Sequence, residues 1–160
     1  MTGVQTCALP IYRYSTAGAG SWTTTIAAGA DPGALALAPD GATLYVANGT
    51  PQTVTAIATA TDAVSTTFAV PGQAQAIAID PTGQTVYVGT STSGAASLVA
   101  RASGATSSIG AASSAGGVFS IAVKPDGNAM AALTTTRVDV QGPAGTTLGA
   151  LTGTALRAVA

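Results

Sequence analysis

The phrase IAIDPTGQTVYVGT (residues 77–90) restates LALAPDGATLYVAN (residues 35–48), and a looser form, IAVKPDGNAMAALT, follows at residues 121–134. The turn prolines Pro39, Pro81 and Pro125 stand 42 and then 44 positions apart, and Tyr45 and Tyr87 keep the spacing of 42. The third copy has Ala131 in the tyrosine position. A period of about 40–45 residues is that of four-stranded propeller blades, whereas ankyrin and tetratricopeptide repeats are shorter and need helices. A β-sandwich with chance similarity between strands would have no fixed period.

The strands of one unit follow from alternation. QAIAI (75–79) sets Ile77 and Ile79 on one face and Ala76 and Ala78 on the other. DPTGQ is a turn, with the φ angle of Pro81 fixed by its ring and Gly83 free to take positive φ. TVYVG (85–89) is a second β-rich strand whose Val86 and Val88 face away from Tyr87. A loop around STSGAA leads to SLVARA (97–102), and a short SGAT turn leads to SSIGAA (107–112), which completes four strands. The same plan places units at 12–30, 31–70, 71–112 and 115–152, with 153–160 opening another. The first unit carries only an outer pair, YRYST (12–16) and WTTTIA (22–27). The expected architecture is therefore all-β: a partial β-propeller of about three four-stranded blades with partial strands at the ends. Alanines on one strand face allow adjacent blades to approach, while Leu35, Leu37, Ile77, Ile79, Ile121 and Val123 are expected to fill the layer between blades.

Composition agrees with this plan. Only 7% of the 160 residues are charged, far below the average of about 25% for soluble domains. Disorder usually needs low hydrophobicity with high charge; here 47% of residues are hydrophobic. Thr and Ser take the place of Lys and Glu on solvated strand faces. The net charge is −1, and Arg13, Arg101, Lys124, Arg137 and Arg157 are scattered, so the clustered cations that neutralise phosphates are missing and no nucleic-acid partner is expected. Thr, Ser, Gly and Pro interrupt every apolar run, which excludes a hydrophobic helical membrane span.

The opening MTGVQTCALPI (1–11) differs in style and period from the remainder. It reads as a translated sequencing adapter, codon for codon, with an initial GTG taken as Met. A secretory leader would instead show a basic start and a longer apolar core. On this reading Cys7, the sole cysteine, lies outside the natural chain, which then has no disulfide or thiol chemistry. Residues 12–160 are expected to be an internal portion of a longer propeller that closes a ring of roughly six to eight blades.

PDGATLYVAN, then VTAIATATDAVSTTFAV, then IAIDPTGQTVYVG together resemble the YVTN-type β-propeller repeat of the YncE-like group. The resemblance spans nearly all of 12–160, is best over 31–90, and weakens where MAALT replaces the Tyr-Val strand. It implies a bacterial or archaeal protein that is secreted, periplasmic or displayed at the cell surface. Related seven-bladed folds include lactonases of the 6-phosphogluconolactonase type. The motif serves turns and packing, so it implies fold more than activity.

The sequence offers no catalytic, cofactor-binding or metal-binding residue set. All six acidic residues are aspartates and there is no histidine, so a Ser–His–Asp triad cannot be assembled. Asp40 and Asp126 sit in Pro-Asp-Gly turns, Asp80 precedes Pro81 and Asp62 belongs to an Asx turn; turn aspartates bond their own backbone. Separate turns supply one carboxylate each, whereas calcium wants several oxygen ligands together. Among the aspartates Asp31, before Pro32 at a connection between blades, is the foremost site candidate, yet a linking role is the favoured reading for it as well. Asp139 lies on a strand with no evident partner, Lys124 is a lone turn lysine, and Trp22 reads as a packing residue on an outer strand. GAGSW and SSAGG lack Rossmann or P-loop spacing. Two functions stay open: a non-catalytic surface propeller binding a protein, glycan or wall polymer, or a lactonase-like hydrolase with its catalytic groups in other blades.

Overall fold

The computed structural model describes residues 10–15, 21–91, 96–100, 106–109, 117–127, 129–134, 137–142 and 147–152. Cys7, Arg101, Arg157, residues 92–95 and 101–105 of the STSGAA and SGAT connections and the segment 153–160 lie outside the described residues, as does the side chain of Trp22. The described residues form fourteen strands: β1 (Ile11–Ser15), β2 (Ser21–Ile26), β3 (Pro32–Leu37), β4 (Thr43–Asn48), β5 (Thr53–Ala58), β6 (Ala63–Ala69), β7 (Ala74–Ile79), β8 (Thr85–Thr90), β9 (Ala96–Ala100), β10 (Thr106–Ile109), β11 (Val118–Val123), β12 (Met130–Thr134), β13 (Arg137–Gln141) and β14 (Thr147–Thr152). They form three four-stranded sheets, β3–β6, β7–β10 and β11–β14, each joined in chain order, and one two-stranded sheet, β1–β2. All pairings are antiparallel. β1 begins at Ile11, the last residue of the stretch that reads as adapter.

The sheets are wedges of one design. The first strands β3, β7 and β11 lie next to one another, β7 contacting both β3 and β11, as they must if they surround a common axis. Each first hairpin closes with the same backbone bonds: Gly41 N–H to Ala38 O at 2.8 Å, Gly83 N–H to Asp80 O at 2.9 Å and Gly127 N–H to Lys124 O at 2.8 Å. The three turn glycines have φ of 69°, 71° and 72°, a left-handed conformation that glycine reaches without strain. The bulk of the sequence repeat is therefore spent on this turn and its two flanking strands.

Packing between blades follows the two faces of those strands. Between β3–β6 and β7–β10, the earlier blade contributes small and aromatic groups (Ala34, Ala38, Tyr45, Ala47) together with Val54, Ala56 and Phe68. The later blade answers with Ile77, Ile79, Val86 and Val88. Val86 and Val88 are fully buried, each worth roughly 1.5–3 kcal/mol on leaving water. The next seam repeats the arrangement with Tyr87 against Val118, Ile121, Val123, Met130 and Ala132. Burial first, and the Asp80 carboxylate second, hold the Tyr87 phenol above its ordinary pKa.

The alternation thus places alanines toward the following blade and the larger residues toward the preceding one. At β3 this corrects the expectation that Leu35 and Leu37 fill the layer between blades. Leu35 and Leu37 point as Ile77 and Ile79 do, yet they are 60% and 56% exposed. The hairpin β1–β2 covers only the outer part of that blade, through Ile11 and Ile26 against Leu44, Val46 and Ile57, and nothing among the described residues lies over the inner part.

Candidate functional site

Asp31 and Gln73 occupy equivalent places, immediately before the first strands of successive blades. The Asp31 carbonyl accepts the Gly49 N–H at 2.8 Å and the Gln73 carbonyl accepts the Ser91 N–H at 2.9 Å. A side-chain pair repeats the match: Thr50 Oγ1 donates to Asp31 Oδ2 and Ser91 Oγ donates to Gln73 Oε1, both at 3.3 Å. These bonds tie each connection to the loop or strand end beside it. Asp31 takes φ of 55°, which aspartate tolerates better than most residues because its short side chain bonds locally.

Two positions further on, the same geometry presents Gly33, Gln75 and Phe119 in three consecutive blades, all exposed. Together with Asp31, Gly49, Gln73 and Ala74 they line a depression of about 360 Å³. It lies at the end of the wedges where the first strands begin, opposite the Pro-Asp-Gly turns. Gly33 opens the floor: a Cβ there would come 3.5 Å from the Ala74 carbonyl oxygen. Among the described residues the lining is one carboxylate, two amides and one aromatic ring, with no cation. Such a set suits hydroxyl groups, which both donate and accept, and a flat C–H surface that can lie on a phenyl face.

The other aspartates are not drawn into this site. Asp40 Oδ1 accepts the Ala42 N–H at 2.9 Å, and Asp80 accepts the Thr85 N–H at 3.0 Å and the Thr82 hydroxyl. Lys124 pairs with Asp126 across its turn, so the lysine that reads as solitary in sequence has a neighbour two residues away. Both carboxylate oxygens of Asp62 accept from Arg13 Nη1 at 2.9 Å. Asp139 is buried on β13, between Ala132 of β12 and Ala150 of β14. Among the described residues no group of three or more His, Cys, Asp or Glu could hold a metal ion, and no helix is long and apolar enough to cross a membrane.

Sequence reading singled out Asp31 but passed over Gln73, Gln75 and Phe119. The signal that finds them is variation inside the repeat. At the position two before the first large aliphatic residue, the copies read Gly33, Gln75 and Phe119, while the turn and core positions around it stay alike. A position freed from packing in every copy is one at which the surface can be specialised.

A structural role also emerges for Asn48, at the asparagine of the Tyr-Val-x-Asn strand. Its Nδ2 donates to the Ala28 carbonyl and to Thr55 Oγ1, both at 3.0 Å, and the side chain is fully buried. It joins the end of β4 to the segment after β2, and so links two sheets. Gly29 makes room for it, since a Cβ there would come 2.7 Å from the Asn48 amide. Thr90 and Thr134 hold the equivalent places and are likewise buried.

No protein-family model matches the chain, and no curated protein sequence matches it. Solved structures do. Hydrazine synthase of Kuenenia stuttgartiensis, a protein that contains a β-propeller, is similar over 76% of this chain with a TM-score of 0.71 and 23% identity. That match takes in 36% of the hydrazine synthase chain. At such identity the likeness is one of fold. Sheets, seams and structural similarity together define an all-β chain with the architecture of a partial β-propeller.

Proposed function

We propose that the chain is part of a YVTN-type propeller outside the bacterial cytoplasm, at the cell surface, in the periplasm or secreted, and that it serves as a non-catalytic binding scaffold. The observation that carries this reading is the depression built from equivalent positions of three blades, with Asp31, Gln73, Gln75 and Phe119 on its wall. A repeated backbone holds these groups rigidly while their identities vary from blade to blade, which is how binding surfaces are made on fixed frameworks. The favoured ligand is a neutral or cationic polyhydroxylated polymer such as a glycan or wall polysaccharide. The carboxylate and amides bond hydroxyls, the Phe119 ring takes a sugar face, and the absence of a lining cation disfavours phosphorylated ligands. The chain has no histidine to act as a base beside the Asp31 carboxylate.

The test is a screen of the chain against immobilised glycans and cell-wall polymers, repeated with Phe119→Ala and Gln75→Ala. Both residues are exposed, so the variants should keep the parent melting temperature. Retention of a polysaccharide that either variant loses would support the reading. Turnover of a lactone panel that Asp31→Asn abolishes would replace it with the hydrolase reading, and a ligand retained equally by all three chains would move the site elsewhere.

A further inference from the structure

The seats of Asp31 and Gln73 differ in one respect that the link between blades does not require. In the blade β7–β10 a single residue makes the link: Ser91 gives its N–H to the Gln73 carbonyl at 2.9 Å and its hydroxyl to Gln73 Oε1 at 3.3 Å. In the blade β3–β6 the two donors are divided. Gly49 gives the N–H to the Asp31 carbonyl at 2.8 Å, and Thr50 gives the hydroxyl to Asp31 Oδ2 at 3.3 Å. The side-chain part of the link needs only an acceptor oxygen, which a neutral amide supplies as well as a carboxylate. The negative charge of Asp31 is therefore surplus to the link.

That charge is fixed in position and has no cation beside it among the described residues. Asp31 is held at φ of 55°, and its carboxylate lies over the backbone of Gly49, where a Cβ would come 2.5 Å from Oδ2. A side chain at position 49 would push the carboxylate off this seat. Arg13 and Lys124, the cations whose side chains are described, are engaged by Asp62 and Asp126, and no described cation lines the depression of about 360 Å³. Around the carboxylate, Gln73 keeps its amide N–H groups for a ligand because the Ser91 bond uses only its oxygen. Gln75 and Phe119 are exposed on the same wall.

We infer that the depression selects a glycan carrying free amines, an amino-sugar polymer, over its neutral and N-acylated counterparts. The inference rests on the reading of the depression as a glycan site and names the charge of its ligand. The ammonium pairs with Asp31, the ring hydroxyls meet the Gln73 and Gln75 amides, and one sugar face lies on Phe119. An acylated amine brings no positive charge to the carboxylate, and a carboxylated or phosphorylated sugar is repelled by it. A lysine side chain matches the charge of Asp31 but brings no hydroxyls to the amides. Both partners of the ion pair stay in contact with water, so the preference is about fivefold, as for exposed ion pairs generally.

The full chain is titrated by calorimetry with glucosamine, N-acetylglucosamine and glucose oligomers of equal length and linkage. At low salt the glucosamine oligomer is expected to bind about fivefold more tightly than either neutral one. The difference should close in about 1 M salt, where the screening length is about 3 Å. Asp31→Asn should bring the three affinities within about twofold of one another. Asparagine tolerates positive φ and still accepts from Thr50, so this variant keeps the parent melting temperature, and the salt series needs no variant at all. A preference that survives Asp31→Asn or high salt would assign the amine to another group and overturn the proposal. If the neutral oligomers bind as tightly as the amine and Phe119→Ala weakens all three, the glycan reading stands and the amine selectivity falls. If no oligomer binds, both fall. An oligolysine peptide bound as tightly as the glucosamine oligomer, and indifferent to Phe119→Ala, would also overturn it, leaving only a general attraction for cations.

Discussion

Two seams in this molecule use the same sequence pattern to different ends. Between β3–β6 and β7–β10, Ile77 and Ile79 sit half-buried against a complete neighbouring blade. Between β1–β2 and β3–β6, Leu35 and Leu37 hold the matching positions and are mostly in solvent. Strand, turn and alternation are indistinguishable in the two cases. Burial is therefore a property of the seam and not of the repeat, as expected when each unit can hide its apolar face only by stacking on another.

That comparison ranks the expected effects of substitution. The largest belongs to the seam between β7–β10 and β11–β14, where Gly117 meets Ser91 backbone to backbone. A Cβ at Gly117 would fall 2.4 Å from Ser91 Cα and 2.9 Å from its carbonyl oxygen. Backbone atoms on both sides cannot step aside as a flexible side chain could. Gly117→Ala should lower stability by about 1–3 kcal/mol, seen as an earlier midpoint in urea unfolding. A wild-type midpoint would mean that the two blades are not held this closely.

A smaller loss is expected at the half-covered seam. Asn48→Ala removes the bonds to Ala28 O and Thr55 Oγ1 and leaves a buried carbonyl without its donor, a change of about 1–2 kcal/mol. It should also speed hydrogen exchange in β2 more than in β8, since the lost bond ties β4 to the segment that follows β2. Equal acceleration in both would separate Asn48 from that linking role. The smallest effect is at the rim. Arg13 and Asp62 join the half-blade to the turn between β5 and β6, with side-chain exposures of 54% and 18%. For so exposed a guanidinium the pair is screened, and Arg13→Ala should cost less than about 1 kcal/mol, shrinking further in high salt.

The fold was legible because it rests on local chemistry written three times. Pro39, Pro81 and Pro125, the positive φ of Gly41, Gly83 and Gly127, and the Ala/Ile alternation are all properties of short stretches. The exposure of Leu35 and Leu37 was not legible. Nothing within their own strand distinguishes them from Ile77 and Ile79; the difference lies in what stands on the neighbouring blade. The candidate site was half legible for a related reason. Asp31 stands out beside a proline at a connection, but Gln75 and Phe119 matter only through convergence of three first strands on one mouth, and that convergence is a tertiary fact. Asp139 shows the same limit, since its strand does not reveal that the position is buried.

The central claim is that equivalent residues differ in stability only as their seams differ. It is tested most directly by comparing urea unfolding of Ile79→Asp with that of Leu37→Asp in the full chain. The claim requires Ile79→Asp to lose roughly 2 kcal/mol or more, because a carboxylate enters a packed apolar layer, and Leu37→Asp to stay within about 0.5 kcal/mol of the parent. Equal losses at the two positions would show that Leu37 is as covered as Ile79, and would contradict the open seam on which this account stands.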